Sequence, residues 1–459
     1  MSSSTGIQPA NTPAPDFTPL EIISPTDPAF FPPRKSGATS VASLSTEPLE
    51  KVRVAIIGLR RGISLLKGTL AGDHNLVTVV CDLRQDRCQE ALELIKAKGQ
   101  PEPVVIQGDE NAWEAILTRD DVDAVVIASP WNTHVPMAVA TMKAGKHALL
   151  EVSAAVSVKE CWELVDTSEQ TQRHCIMLEN CCYGESEMLV LNMVRQGVFG
   201  EITHGEAAYI HDLRSMLFKL GSEGDWRREY HKLYNGNLYP THGLGPIAQY
   251  MGINRGDQFK YLVSMSSPQI GLSKYRNEHQ PNEGRHADER YVTGDMNTSL
   301  IQTTLGRSIM IQHDIISPRP YSRLNMLSGT DATFMGYPDR LLLDHPEKYG
   351  IMLVENPDEE SHDWLPEKDF EKIKEEFKHP LIKRLENKAK DGGHGGMDTV
   401  MMIRHLECIK NGETPDSTVY DAAAWSSILQ LSTQSVANGS APVFIPDFTR
   451  GEYKNLKPL

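Results

Sequence analysis

Tyr239-Pro240-Thr241-His242 is the stretch best equipped to move protons. Proline suits the first turn of a helix, and residues three apart on a helix share a face, so Tyr239 and His242 would project together. The positive end of a helix disfavours imidazolium, which favours a neutral His242 that can accept a proton. Other candidates fall where an open α/β sheet keeps its ligands, beyond the carboxyl ends of the strands. Ile57-Gly58-Leu59-Arg60-Arg61-Gly62 is a two-glycine turn. Gly58 and Gly62 would lead into a helix whose first amides attract phosphate, with Arg60 and Arg61 adding charge. Asp82 lies 24 residues after Gly58. An acid there binds the ribose diol of a dinucleotide and repels a 2′-phosphate, favouring NAD over NADP. Each feature alone also reads as ordinary structure: a strand–helix turn, a surface acid, a histidine in a Gly-rich bend.

The elements that must position these groups follow from periodicity. Short apolar runs at Val52–Ile57, Leu76–Cys81, Pro103–Ile106, Ala124–Ala128, Ala148–Val152 and Cys175–Leu178 predict strands. Helical stretches at Gln85–Lys98, Val135–Lys143 and Val158–Thr171 alternate with them. That alternation predicts right-handed βαβ units and a doubly wound parallel sheet over residues 51–180, the dinucleotide-binding domain. From about 200 the texture changes. Ile202–Leu213, Phe259–Ser266, Asn297–Leu305 and Ser308–Ile315 alternate like strands without intervening helices, predicting a largely antiparallel sheet. Late helices are expected at Met397–Lys410 and Val419–Asn438, so 181–459 reads as an α+β domain for substrate and for oligomerisation. Residues 1–50 hold nine of the 28 prolines and read as an extended arm. Its apolar Phe17, Leu20, Ile22, Ile23, Phe30 and Phe31 suit an arm lying on the body or on a neighbouring subunit.

Composition narrows the partners. A net charge of −15 argues against nucleic acid or an anionic membrane, since both select for basic excess. No apolar run is long enough for a membrane span, and the start has no basic n-region or apolar h-region, so a cytoplasmic protein is expected. Seven scattered cysteines form no Cys-x-x-Cys pair and read as reduced, buried thiols. No histidine or cysteine spacing asks for a metal, and none is expected.

Longer strings at the strand ends carry a family resemblance. Pro130-Trp131-Asn132-Thr133-His134, Lys143-Ala144-Gly145-Lys146-His147 and Glu151-Val152 resemble the Gfo/Idh/MocA family of NAD(P)-dependent sugar and polyol oxidoreductases. The stretches SPWNTH, MKAGKHALLEVSAA, LENCCYG, HDLR, NGNLYPTHGLGPIA, RPY, GGHGGMD and IPDFTRG are similar to one branch, glycoside hydrolase family 109, the NAD-dependent α-N-acetylgalactosaminidases. The resemblance runs from about residue 50 to the C-terminus. Two departures stand out. Dehydrogenases of the wider family usually carry Glu-Lys-Pro after the fifth strand, where this chain has Glu151-Val152-Ser153, and a valine moves no proton. The glycine turn is also one glycine short.

The resemblance implies NAD as cofactor and a small carbohydrate or glycoconjugate as substrate, with homo-oligomers expected. It implies transient oxidation at sugar C3, loss of the C2 proton, elimination of the aglycone, addition of water and re-reduction. Trp131, Asn132, Thr133, His134, Glu151, Val152 and Asn180 would bind the cofactor, beside Gly58, Arg60, Arg61, Gly62 and Asp82. Tyr239, His242 and Tyr183 would carry proton transfer. Tyr209, Arg227 and Tyr321, with Tyr239 and His242, would hold the sugar, and His394 sits in a glycine loop that could approach it. An NAD-dependent sugar or polyol oxidoreductase is the alternative.

Overall fold

The structure is a computed structural model, which describes residues 30–279, 286–351, 363–390 and 392–458. Six strands form the first sheet: β1 (Val52–Ile57), β2 (Asn75–Cys81), β3 (Val104–Ile106), β4 (Ala124–Ile127), β5 (His147–Leu150) and β6 (Cys175–Met177). Every pairing is parallel, in the order β3-β2-β1-β4-β5-β6. Val54, Ala55 and Ile56 are fully buried, as are all four residues of β4, because helices cover both faces. That is why these strands are continuous apolar runs rather than alternating ones. The helix Val158–Thr171 begins at a capping box in which Ser157 Oγ accepts from Glu160 N and the Glu160 carboxylate reaches back. The order reverses between β1 and β4, which places a ligand crevice at the ends of those two strands.

The second sheet has eight strands: β7 (Ile202–Ile210), β8 (Phe259–Ser266), β9 (Asn297–Thr303), β10 (Ser308–Asp314), β11 (Met326–Gly329), β12 (Ala332–Met335), β13 (Arg340–Leu343) and β14 (Val443–Phe444). Their order is β13-β12-β11-β7-β10-β9-β8-β14, antiparallel except that β10 runs parallel to β7. Two expectations need correction. Helices Glu223–Leu233, Thr241–Tyr250 and Gly271–His279 interrupt the run of strands. The late helix over 419–438 is two helices, Val419–Ser426 and Ile428–Ala437.

The halves meet through the helix Gly62–Ala71, which packs on the late helix Met397–Asn411. Gly68 makes the approach possible, since a Cβ there would lie 2.9 Å from Asp398 O and 3.0 Å from Met402 Cβ. The described part of the arm, from residue 30, lies on its own chain. Phe30 is fully buried, its carbonyl accepts from Trp162 Nε1 at 3.2 Å, and Arg34 pairs with Glu169 and Glu452. Phe31 remains exposed. Phe17, Leu20, Ile22 and Ile23 lie outside the described residues. Phe30→Ala should destabilise the chain by about 3–5 kcal/mol, the usual cost of emptying a buried phenylalanine site. A lower urea midpoint at unchanged m-value is the expected reading, and an unshifted midpoint would show the arm to be dispensable.

Candidate active site

Gly58 turns the chain off β1 with φ +83, and a Cβ there would sit 2.5 Å from Ala128 O at the end of β4. Only glycine closes β1 against β4 at this point. The helix Gly62–Ala71 begins directly after the turn, so its free amides open on the crevice. Asp82 Oδ2 accepts from Leu59 N at 2.6 Å and Oδ1 from Arg84 N at 2.8 Å, which fixes the carboxylate at the end of β2. A glycine cradle, a helix start and an anchored acid together fit a dinucleotide.

Arg61, at the start of that helix, is tied to two acids. Its guanidinium donates to Asp398 Oδ2 at 2.6 Å and Oδ1 at 2.9 Å, and its Nε lies 2.8 Å from Glu151 Oε1. Asn180 Nδ2 donates to Asp398 at 2.8 Å, His394 Nδ1 at 2.9 Å, and Ser64 Oγ donates to it as well. Asp398 is fully buried. Burial alone would raise its pKa, but the Arg61 and His394 bonds hold it far below the carboxylate range. Two acids therefore compensate Arg61. Arg60 is exposed and donates to Gly221 O at 2.8 Å.

The first turn of the helix Trp131–Lys143, which follows β4, is braced rather than open. His134 is fully buried, with its ring nitrogens 2.8 Å from Ser153 O and Ser129 O, and burial lowers its pKa. Its side chain is thus a strut between the ends of β4 and β5. Thr133 Oγ1 lies 2.7 Å from both Ser129 Oγ and Pro130 O in the same turn. Asn132 beside it is half-buried. Trp131 Nε1 donates to Val152 O at 2.9 Å, and Glu151 Oε2 accepts from Val152 N at 3.1 Å.

Trp131 also forms one wall of an aromatic box. Tyr239 lies 5.6 Å from Trp131 and 4.5 Å from Tyr209, centroid to centroid. Arg227 spans the Tyr239, Trp226 and Trp131 rings at 4.9, 5.4 and 5.6 Å, with Glu223 at 2.8 Å as counter-ion. Tyr321 closes the outer side, 5.1 Å from His211 and 42% exposed. Pro240 precedes the helix Thr241–Tyr250, and Tyr239 and His242 do share a face: Tyr239 OH is 3.4 Å from His242 Nε2. On the far side of the ring, His242 Nδ1 donates to Glu179 Oε1 at 2.6 Å. Glu179 follows β6 and is 1% exposed. Burial raises its pKa, but the His242 contact outweighs burial, so the carboxylate stays ionised. Burial drives the Tyr239 phenol well above its ordinary value, against the pull of Arg227, so it keeps its proton at neutral pH. Carboxylate, imidazole and phenol form a relay in which Glu179 fixes the tautomer of His242. Glu179 was not singled out from sequence.

Tyr183 does not join this relay. Its hydroxyl lies 3.2 Å from His405 Nε2 and 3.3 Å from Asp416 Oδ2. It lines a separate cavity of about 340 Å³ with Arg195, His379 and Arg404, which Tyr239, His242, Tyr209 and Arg227 do not line. The short helical turn Asn180–Tyr183 presents Glu179 and Asn180 to the site and carries Tyr183 away.

With the geometry in place, kinship can be stated. The profile of "Glycosyl hydrolase 109, C-terminal domain" matches residues 183–455. A Glycosyl hydrolase family 109 protein of Shewanella putrefaciens is 46% identical over 430 residues, 93% of this chain and 91% of that one. The chain belongs to glycosyl hydrolase family 109. Its N-terminal part, residues 52–179, matches "Oxidoreductase family, NAD-binding Rossmann fold". Other family 109 relatives include a protein of Solibacter usitatus, 48% identical over 434 residues and covering 93% and 95% of the two chains. One of Shewanella oneidensis, named alpha-N-acetylgalactosaminidase, is 45% identical over 430 residues, 93% of this chain and 91% of that one. The fold is that of an oxidoreductase domain protein from Kribbella flavida, at TM-score 0.65 and 16% identity over 87% of this chain and all of that one.

Asp398→Asn tests the buried carboxylate. Asp398 has a depressed folded pKa, so its stabilisation is complete above the unfolded value, about 4, and fades as pH falls toward the folded one. The variant should have a lower urea midpoint at pH 7, and the gap to the native chain should narrow as pH falls below about 4. A gap that widens in acid would contradict this assignment.

Proposed function

We propose that this chain hydrolyses α-N-acetylgalactosaminides with a resident NAD, and that the Glu179–His242–Tyr239 relay moves the sugar's protons. The relay carries the reading, because it stands inside a cation–aromatic box at the mouth of a dinucleotide cradle. Family membership, and the name of the Shewanella oneidensis relative, support the substrate class.

Residues 51–180 would hold the dinucleotide. The amides of the Gly58–Gly62 turn face its phosphates, Asp82 its ribose, and Trp131, Asn132, Glu151, Val152 and Asn180 shape the wall against the second domain. When bound, NAD supplies a transient acceptor for the hydrogen at sugar C3, which makes the C2 proton acidic. His242 Nε2 takes up a proton and Glu179 steadies the charge that results. Tyr239 donates from a phenol that burial keeps protonated. Arg227, Tyr209 and Tyr321 orient the ring and exclude water. Val152 offers no proton carrier where related dehydrogenases keep a lysine, which favours a cycle that returns its electrons over net oxidation.

Two further parts of the reading concern assembly and setting. Val263 lies opposite Leu300 on the open face of the second sheet, with exposed Met265 next along β8. That apolar face supports a homo-oligomer. The seven cysteines are free and buried, which fits a reducing compartment such as the cytoplasm. Among the described residues, no helix is long and apolar enough to cross a membrane.

A panel of α- and β-aryl glycosides, read for released phenol and for NADH together, tests the function. Phenol should come from the α-N-acetylgalactosaminide without stoichiometric NADH, and NAD should be released from the purified protein on denaturation. Stoichiometric NADH without phenol would mark a dehydrogenase instead. His242→Ala should lose about 10²–10⁴ in rate with NAD retained. Tyr183→Phe should stay within a few-fold of the native rate, and a loss as large as that of His242→Ala would return Tyr183 to the chemistry.

A further inference from the structure

Glu179, Cys181 and His242 bring a carboxylate oxygen, a sulfur and an imidazole nitrogen within 4.8 Å of one another. Glu179 and Cys181 sit two residues apart in the turn after β6, where Cys181 N also donates to Glu179 Oε1 at 3.1 Å. His242 is delivered from the opposite side by the helix Thr241–Tyr250. Glu179 and Cys181 are each 1% exposed, and Glu179 Oε2 is buried without a hydrogen bond of good geometry. Besides His242, the Thr241 side chain and Cys181 N help hold Glu179 ionised, and an ionised, buried carboxylate so sparsely bonded has capacity left for a cation. Arg323 Nη1 donates to Cys181 Sγ at 2.7 Å, the outer-sphere support that metal thiolates commonly have.

We infer that Glu179, Cys181 and His242 form a binding site for a thiophilic divalent cation of the Zn²⁺ class, and that its occupation switches the hydrolase off. Tetrahedral Zn²⁺ with one S, one N and one O ligand needs ligand separations of roughly 3.3–3.6 Å, so small movements suffice: the sulfur closes in and the 2.6 Å contact between Glu179 and His242 opens. A hard cation such as Mg²⁺ would not choose a thiol. Burial keeps the Cys181 thiol protonated well above its ordinary range despite Arg323. Binding expels the proton on Cys181 Sγ, while the proton that His242 Nδ1 shares with Glu179 moves to Nε2, so that a neutral imidazole binds through Nδ1. The fourth position is left for water. The cation takes both the carboxylate and the imidazole out of the relay, so no proton carrier is left for the sugar.

The inhibition rests on the proposed function, but binding does not. The test uses the full, NAD-loaded chain, freed of metal by a chelator and titrated with Co²⁺ and Zn²⁺. One Co²⁺ per chain should bind with a thiolate-to-cobalt charge-transfer band, and Zn²⁺ should displace it. Hydrolysis should fall in step with Zn²⁺ occupancy and return with EDTA. Cys181→Ser and Cys181→Ala should keep NAD and hydrolysis, lose the band, and raise the inhibitory Zn²⁺ concentration by about tenfold or more. Cys182→Ser, one residue along, should keep both band and inhibition. No thiolate band in the native chain, or equal Zn²⁺ sensitivity in both Cys181 variants, would overturn the site. The cobalt band reads binding whether or not the chain cleaves a glycoside, so the two readings fail separately.

Discussion

The carboxylate of Asp398 belongs to the late helix of the second domain, yet its partners come from across the chain. Arg61 and Ser64 reach it from the first βα unit, Asn180 from the turn after β6, and His394 from the glycine loop. A fully buried charge is tolerated only when it is paired and hydrogen-bonded, so these groups must converge for either domain to sit where it does. The approach is close because Gly68 leaves room for Asp398 and Met402. Arg61 extends the network to Glu151, next to the loop that holds Trp131. One buried ion network thus sets the distance between the dinucleotide cradle and the aromatic box.

This arrangement also divides labour among charges. Arg61 would be a strong phosphate ligand if it were unpaired, but with two acids against it the guanidinium serves the domain contact. Arg227 is the cation left facing the box, and three aromatic faces and Glu223 hold it. Burial pushes the pKa values of the nearby Tyr239 and Tyr209 phenols up, so both keep their protons. Glu179, ionised and aimed at Nδ1, orients His242 so that Nε2 is the nitrogen presented to the site. The relay is short and its polarity is fixed by burial.

Much of the first domain was legible because parallel strands covered on both faces must be apolar throughout, and β1, β2 and β4 read that way. The crevice at the end of β1 followed from a glycine turn placed directly after the first apolar run, and Tyr239 with His242 from a proline-started helix. The three-stranded extension β11–β13 was not legible: four-residue strands at a sheet edge carry too little periodicity. Nor were the partners of Arg61 and His134. Asp398 lies 337 residues beyond Arg61, and a charge beside a glycine turn looks the same whether it faces phosphate or a distant acid. Glu179 was visible as a residue but not as the partner of His242, 63 positions away. The partners of Tyr183 were not legible either, since His405 and Asp416 lie more than 200 positions away in sequence.

The central claim is that the sugar loses and regains its C2 proton while the aglycone leaves and water enters. Hydrolysis in heavy water, followed by NMR of the released sugar, tests it directly. The account predicts deuterium at C2, brought in from solvent through His242 or its neighbours. Release of the aglycone at full rate with C2 carrying only its original hydrogen would contradict it, and would point to direct displacement at C1.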